Sequence, residues 1–148
     1  MEKQAITLTI KGSQIENGEE STVEMFTEGQ LKQDGTSTII EYEESELSGL
    51  EHTKTRLKIQ DDSIHLLRQG NYETEFIFSE AKTFEALYDT PAGVMQVSVF
   101  PSRVKCAQTS AGGSLDLEYD IKIGSLCAHN RLNIVYEHKN KNGGRTVC

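Results

Sequence analysis

The 148-residue sequence has no tryptophan, two prolines and three cysteines. It has no run of about 18 apolar residues, so it offers no helix able to span a bilayer. Its first residues, Met1-Glu2-Lys3-Gln4, lack the apolar stretch of a secretory signal. That absence predicts a cytoplasmic protein. Cys106, Cys127 and Cys148 are odd in number and contain no CxxC pair, so reduced thiols are expected. Basic charge is scarce where it would matter most. Residues 16–51 hold eleven acids against the single base Lys32, a local charge of −10, while the stretches on either side carry +1 each. Nucleic-acid binders need a basic face, and anionic membranes recruit one, so neither partner is expected.

Catalytic motifs are missing as well. There is no GxSxG, HExxH, GxGxxG, P-loop or EF-hand spacing. His52, His65, His129 and His138 are scattered. Cys127-Ala128-His129 offers two metal ligands, but no second pair completes a site, and the segment reads as a loop. No catalytic residue, metal or cofactor is expected.

What the sequence does have is alternation. Ile6, Leu8 and Ile10 alternate with Thr7, Thr9 and Lys11. Leu115, Leu117, Tyr119, Ile121 and Ile123 alternate with Asp116, Glu118, Asp120 and Lys122. A period of two puts one set of side chains on each face of a strand. Strands are expected at 4–12, 21–33, 36–45, 52–60, 63–70, 73–79, 83–90, 93–101, 103–109, 114–124 and 130–139. Pro101 should merely bend one long strand. The segment 79–88 is the nearest thing to a helix. The hydrophobic content of 36% supports one core, giving a single domain over 1–139 and a flexible tail at 140–148. Sequential hairpins with one apolar face predict an all-β fold. The expected form is a closed antiparallel up-and-down barrel of about 8–10 strands, with a two-sheet sandwich as the alternative.

Turn residues set the register. Asp34-Gly35 reads as a two-residue hairpin loop, pairing Gln33 with Thr36 and Thr27 with Tyr42. Asp61-Asp62 pairs Ile59 with Ile64 and Leu57 with Leu66. Pro91-Ala92 pairs Tyr88 with Met95 and Phe84 with Val99. The loop 110–113 pairs Cys106 with Leu117 and Val104 with Tyr119, which makes Cys106 a buried thiol. A turn at Ser48-Gly49 sets Glu43 beside Lys54 and Glu41 beside Arg56 on the outer face. Lys105–Glu118 and Arg103–Asp120 follow in the later hairpin, while Phe26 points outward among acids.

Some polar residues fall in phase with the core. Arg68 follows Ile64 and Leu66, Tyr42 and Glu44 follow Ile40, and Thr55 precedes Leu57. By register Tyr42, Thr55 and Arg68 form one row, with Glu44 in the next. A charge inside a barrel must be paired or wet. Three readings follow. Arg68 and Glu44 form a buried pair that fixes register. Alternatively, Arg68, with Tyr42, Glu44 and Thr55, forms the polar end of a ligand cavity and holds a carboxylate or phosphate. In the third, the register is wrong and Arg68 is exposed.

Several stretches together resemble the YwiB-like family of bacterial β-barrel proteins. They are Ile40-Glu41-Tyr42-Glu43-Glu44-Ser45, Gly49-Leu50-Glu51, Thr53 to Ile59, Leu66-Leu67-Arg68-Gln69-Gly70, Tyr88 to Gly93, and Gly113 to Ile123. The resemblance runs from about residue 5 to 138. It implies a calycin-like, lipocalin-type barrel and no established function. Ala92 stands where that family usually has an aromatic residue. The missing tryptophan removes the Gly-x-Trp signature of secreted lipocalins, so their ligands do not carry over. Three function classes remain: a barrel binding a small molecule in its interior, a protein-interaction domain using the wall around Phe26, and, least favoured, an enzyme. Oligomeric state is not legible.

Overall fold

The alternation closes on itself. The computed structural model describes residues 3–44, 52–71, 73–90 and 93–139. Ten strands follow in order: β1 (Gln4–Glu16), β2 (Glu19–Asp34), β3 (Ser37–Glu43), β4 (Thr53–Ile59), β5 (Ile64–Gly70), β6 (Thr74–Phe78), β7 (Phe84–Thr90), β8 (Gly93–Gln108), β9 (Gly112–Ile123) and β10 (Leu126–His138). Each pairs antiparallel with its neighbours in sequence, and β1 pairs with β10, so the meander is a closed up-and-down barrel. Closure removes the free edges that a sandwich would leave. The described residues contain no helix. Ala81, at φ 64°, takes a left-handed conformation that cannot continue a helix, and β7 begins three residues later.

The inward set is the apolar set. Ile6 and Leu8 of β1, Ile40 of β3, Leu57 of β4, Ile64 and Leu66 of β5, Phe76 and Phe78 of β6, Leu115 and Leu117 of β9, and Ile134 of β10 are buried in one cluster. Phe76 and Phe78 meet edge to face at 5.8 Å, and Phe78 lies 4.8 Å from Tyr119 across the interior.

Two hairpins differ in register from the sequence expectation, each by two residues. At β2–β3 the partners are Asp34 with Ser37, Gln33 with Thr38 and Gly29 with Tyr42. Gly35, at φ 65°, takes the first position of a Gly35-Thr36 loop rather than the second position of Asp34-Gly35. Positive φ at the first loop residue alone is the type II′ pattern. At β8–β9 the loop is Ser110-Ala111, closed by Thr109 N donating to Gly112 O at 2.7 Å, so Val104 faces Leu117 and Cys106 faces Leu115. A shift of two preserves every face. The β4–β5 and β7–β8 hairpins pair as their turns dictate. The proposed turn at Ser48-Gly49 and the residue Ala92 lie outside the described residues, as do the tail 140–148 and Cys148. The pairs Glu41–Arg56 and Glu43–Lys54 are nevertheless opposite one another.

Pro101 has no N–H to give a ladder, and the β8–β9 register slips by one between Pro101 and Arg103. The two-residue shift of the β8–β9 loop also moves the outer charges. Arg103 Nε lies 2.8 Å from Asp116 instead of meeting Asp120, and Lys105 reaches Glu80 at 3.4 Å instead of Glu118. Cys106 keeps its inward phase but is exposed, because it sits near the barrel end, beside Thr38, Ile59 and Gln108. The segment 127–129 is strand, not loop: Gly124, at φ 60°, turns the chain and β10 starts at Leu126. Among the described residues the sheet is thinnest between β6 and β7, where Thr74 and Tyr88 are the one registered pair.

Candidate functional site

At one end of the barrel the interior changes from apolar to polar. Gly29, Tyr42, Thr55, Arg68 and Thr74 occupy one row across β2 to β6, each opposite the next. Gly29 is required there. A Cβ at that position would stand 2.8 Å from Leu8 Cδ1 and 3.2 Å from Tyr42 Cβ, and closer still to the Glu41 carbonyl oxygen. The missing side chain leaves room beside Tyr42, which is 5% exposed.

Glu44 continues the β3–β4 ladder by one step, its N–H donating to Thr53 O at 2.8 Å. Its carboxylate turns inward and accepts a short hydrogen bond from the Thr55 hydroxyl. Arg68 Nε lies 3.5 Å from the same oxygen, with the two side chains 16% and 3% exposed. Burial above all, then the charge of Glu44 and a hydrogen bond to it, hold the Tyr42 hydroxyl well above its ordinary pKa; the Arg68 charge pulls the other way. Tyr42, Glu44, Thr55 and Arg68 therefore form one inward group, and the exposed alternative for Arg68 is excluded. Thr53 and Thr74 add two buried hydroxyls with no hydrogen-bond partner among the described residues.

Two cavities open beside this group. One, of about 260 Å³, runs from Tyr42, Glu44 and Arg68 to Ile10, Met25 and Leu132 on the opposite wall. The other, of about 190 Å³, is lined by Phe76, Ile121, Ile123 and Ala128. Gln14, Arg68, Tyr119 and Asn130 line both. The Asn130 amide is fixed by donating to Ala128 O at 3.2 Å.

Gln14, Tyr119 and Asn130 have no place in the sequence reading of the site. The meeting of Gln14 with Asn130 depends on β1 pairing with β10, a contact between the first and last strands, and Tyr119 joins them from β9. One local signal pointed that way. Asn17-Gly18, with φ values of 55° and 80°, forms the β1–β2 hairpin turn and extends both strands to the rim.

A second polar group lies on the outer wall. His129 Nδ1 is 2.7 Å from Asp120 and Nε2 is 2.8 Å from Glu118. These hydrogen bonds, led by Asp120, raise the imidazole pKa above its ordinary value against a smaller desolvation effect. Both ring nitrogens are thus engaged by carboxylates. The described residues contain no group of three or more His, Cys, Asp or Glu arranged to hold a metal. Cys127 is exposed.

Residues 8–142 match a family described as a domain of unknown function, DUF1934. The crystal structure of the ywiB protein from Bacillus subtilis superposes with a TM-score of 0.83. It covers 93% of this chain and 94% of that one at 20% sequence identity, a likeness of fold. No curated protein matches.

Proposed function

We propose that this chain, which belongs to the DUF1934 family, is a binding protein that holds a small organic anion at the polar end of its barrel. The observation that carries this reading is the position of Arg68. Its guanidinium is held by Glu44, yet its side chain lines both cavities. Arginine suits planar carboxylates and phosphates, and a partly desolvated one binds them more strongly than a surface one. The cavities, at about 260 and 190 Å³, fall below the roughly 300–1,000 Å³ of drug-sized sites, so the ligand is small. The meander of strands around an interior site supports a calycin-like description of the barrel. Free Cys106 and Cys127 support a reducing, cytoplasmic location. The acidic segment 16–51 supports a partner other than nucleic acid or an anionic membrane.

The test is an NMR titration of the labelled protein with acetate and with inorganic phosphate. Shifts concentrated at Gln14, Arg68, Tyr119 and Asn130 are expected. Shifts scattered over the outer wall, or none, count against the reading.

One observation favours a second reading, a protein contact through the wall. Phe26 is 74% exposed, and Thr9 stands between it and Val135, itself 41% exposed, in one outer row.

A further inference from the structure

Two side chains of opposite charge stand in the wall of the cavity of about 190 Å³: Arg68 and Glu16. Glu16 is the last residue of β1 and shares the inward phase of Ile6, Leu8, Ile10 and Gln14. The Asn17-Gly18 turn fixes it there, directly opposite Glu19. Like charges so placed repel each other. Among the described residues neither carboxylate has an ion-pair or hydrogen-bond partner. Arg68, in contrast, is paired with Glu44, which does not line this cavity. The Glu16 carboxylate is thus the uncompensated charge of the cavity, and it repels any plain anion that reaches Arg68 from this side.

We infer that the ligand class is a small zwitterion, an amino acid whose carboxylate meets Arg68 and whose ammonium meets Glu16. This adds a second charge to the ligand of the anion-binding reading and rests on that reading. An ammonium at Glu16 offsets its repulsion from Glu19 and makes a charge-assisted hydrogen bond. The ammonium goes to Glu16 rather than Glu44, because the Glu44 carboxylate is 3% exposed, accepts from Thr55 and is already paired with Arg68. Gln14, Tyr119 and Asn130 line the same cavity with neutral hydrogen-bonding groups, which suit a polar ligand. A protein cavity of about 150 Å³ takes up benzene, so one of about 190 Å³ holds a molecule of about seven non-hydrogen atoms, the size of 4-aminobutyrate.

Calorimetric titration of the full chain at neutral pH with butyrate, 4-aminobutyrate and butylamine tests the inference. Glycine against acetate and 6-aminohexanoate against hexanoate serve as the shorter and longer pairs. 4-Aminobutyrate should bind at least five-fold tighter than butyrate, and butylamine more weakly than either. Glu16→Gln should erase that advantage and strengthen butyrate binding, whereas a merely structural role for Glu16 would weaken both ligands alike. The variant also loses the repulsion from Glu19, so it should melt no lower than the parent. Glu20→Gln removes the same charge from the outward face of the same hairpin, where Glu20 stands opposite Ile15, and should keep the advantage. Binding of the acids with no amino acid favoured at any of the three lengths overturns the zwitterion and leaves the anion site standing. Absence of binding by acids and amino acids alike overturns the anion site as well. Butylamine binding as tightly as 4-aminobutyrate overturns the carboxylate on Arg68. An advantage that survives Glu16→Gln, or that Glu20→Gln erases equally, overturns the assignment to Glu16.

Discussion

Arg68 and Glu44 are joined across an intervening strand: Nε of the arginine on β5 lies 3.5 Å from Oε2 of the glutamate that follows β3, with Thr55 of β4 bonded to the same oxygen between them. The contact ties three strands together where the interior changes from apolar to polar. Neither charge is well hydrated, so each depends on the other.

Removing one partner should therefore cost more than removing both. Arg68→Ala leaves a carboxylate that is 3% exposed without its cation, and a loss of about 3–5 kcal/mol is expected. The double variant Arg68→Met, Glu44→Gln should recover most of it. Urea denaturation of the three proteins measures the difference. A loss under about 1 kcal/mol for Arg68→Ala would show that the Glu44 carboxylate does not depend on the guanidinium.

The His129 clasp makes stability pH-dependent in a defined direction. Its folded pKa is raised, chiefly by Asp120 and then by Glu118. The contribution is fully present below the ordinary histidine value of 6.5 and is lost as pH rises through the raised value. The ring is 40% exposed, so solvent screening keeps the effect under about 1 kcal/mol. An NMR titration of the His129 ring should give a midpoint above 6.5. Asp120→Asn should lower it.

Gly29 should tolerate no side chain. Alanine there collides with the backbone of Glu41 and with Leu8, a conflict no rotamer change can relieve at the carbonyl. Overpacking of this kind costs roughly 1–3 kcal/mol. Gly29→Ala should lower the denaturation midpoint and shift the Tyr42 resonances, whereas Gly12→Ala, whose added Cβ meets nothing nearer than 3.9 Å, should do neither.

The row Tyr42–Thr55–Arg68 was legible in the sequence because phase along a strand survives errors in turn placement. Misassigning the Gly35 loop by one position moved the β2 partners by two residues and left every face intact. Phase does not report depth, which is why Cys106 follows the inward pattern yet meets solvent near the barrel end. The opposite wall of the site was illegible for a different reason. Gln14 and Asn130 are paired with one another across β1 and β10, and no local pattern announces a contact between residues 116 positions apart. The pairing of Arg103 with Asp116 escaped because the β8–β9 loop lies at Ser110-Ala111, which moves the partners of Arg103 and Lys105 by two residues.

The closing contact between β1 and β10 also dictates a timetable. During synthesis the β1–β2 hairpin, with thirteen registered pairs, can form as soon as it emerges. The other edge of β1 must wait until residues 129–138 have left the ribosome, because they hold the partners of Ile6 to Ile15. Until then one edge of β1 has no partner. Closure comes last in this order, and it brings Gln14 and Asn130 together beside Arg68 in the same step. A chain cut before residue 129 would lack every β10 partner of β1.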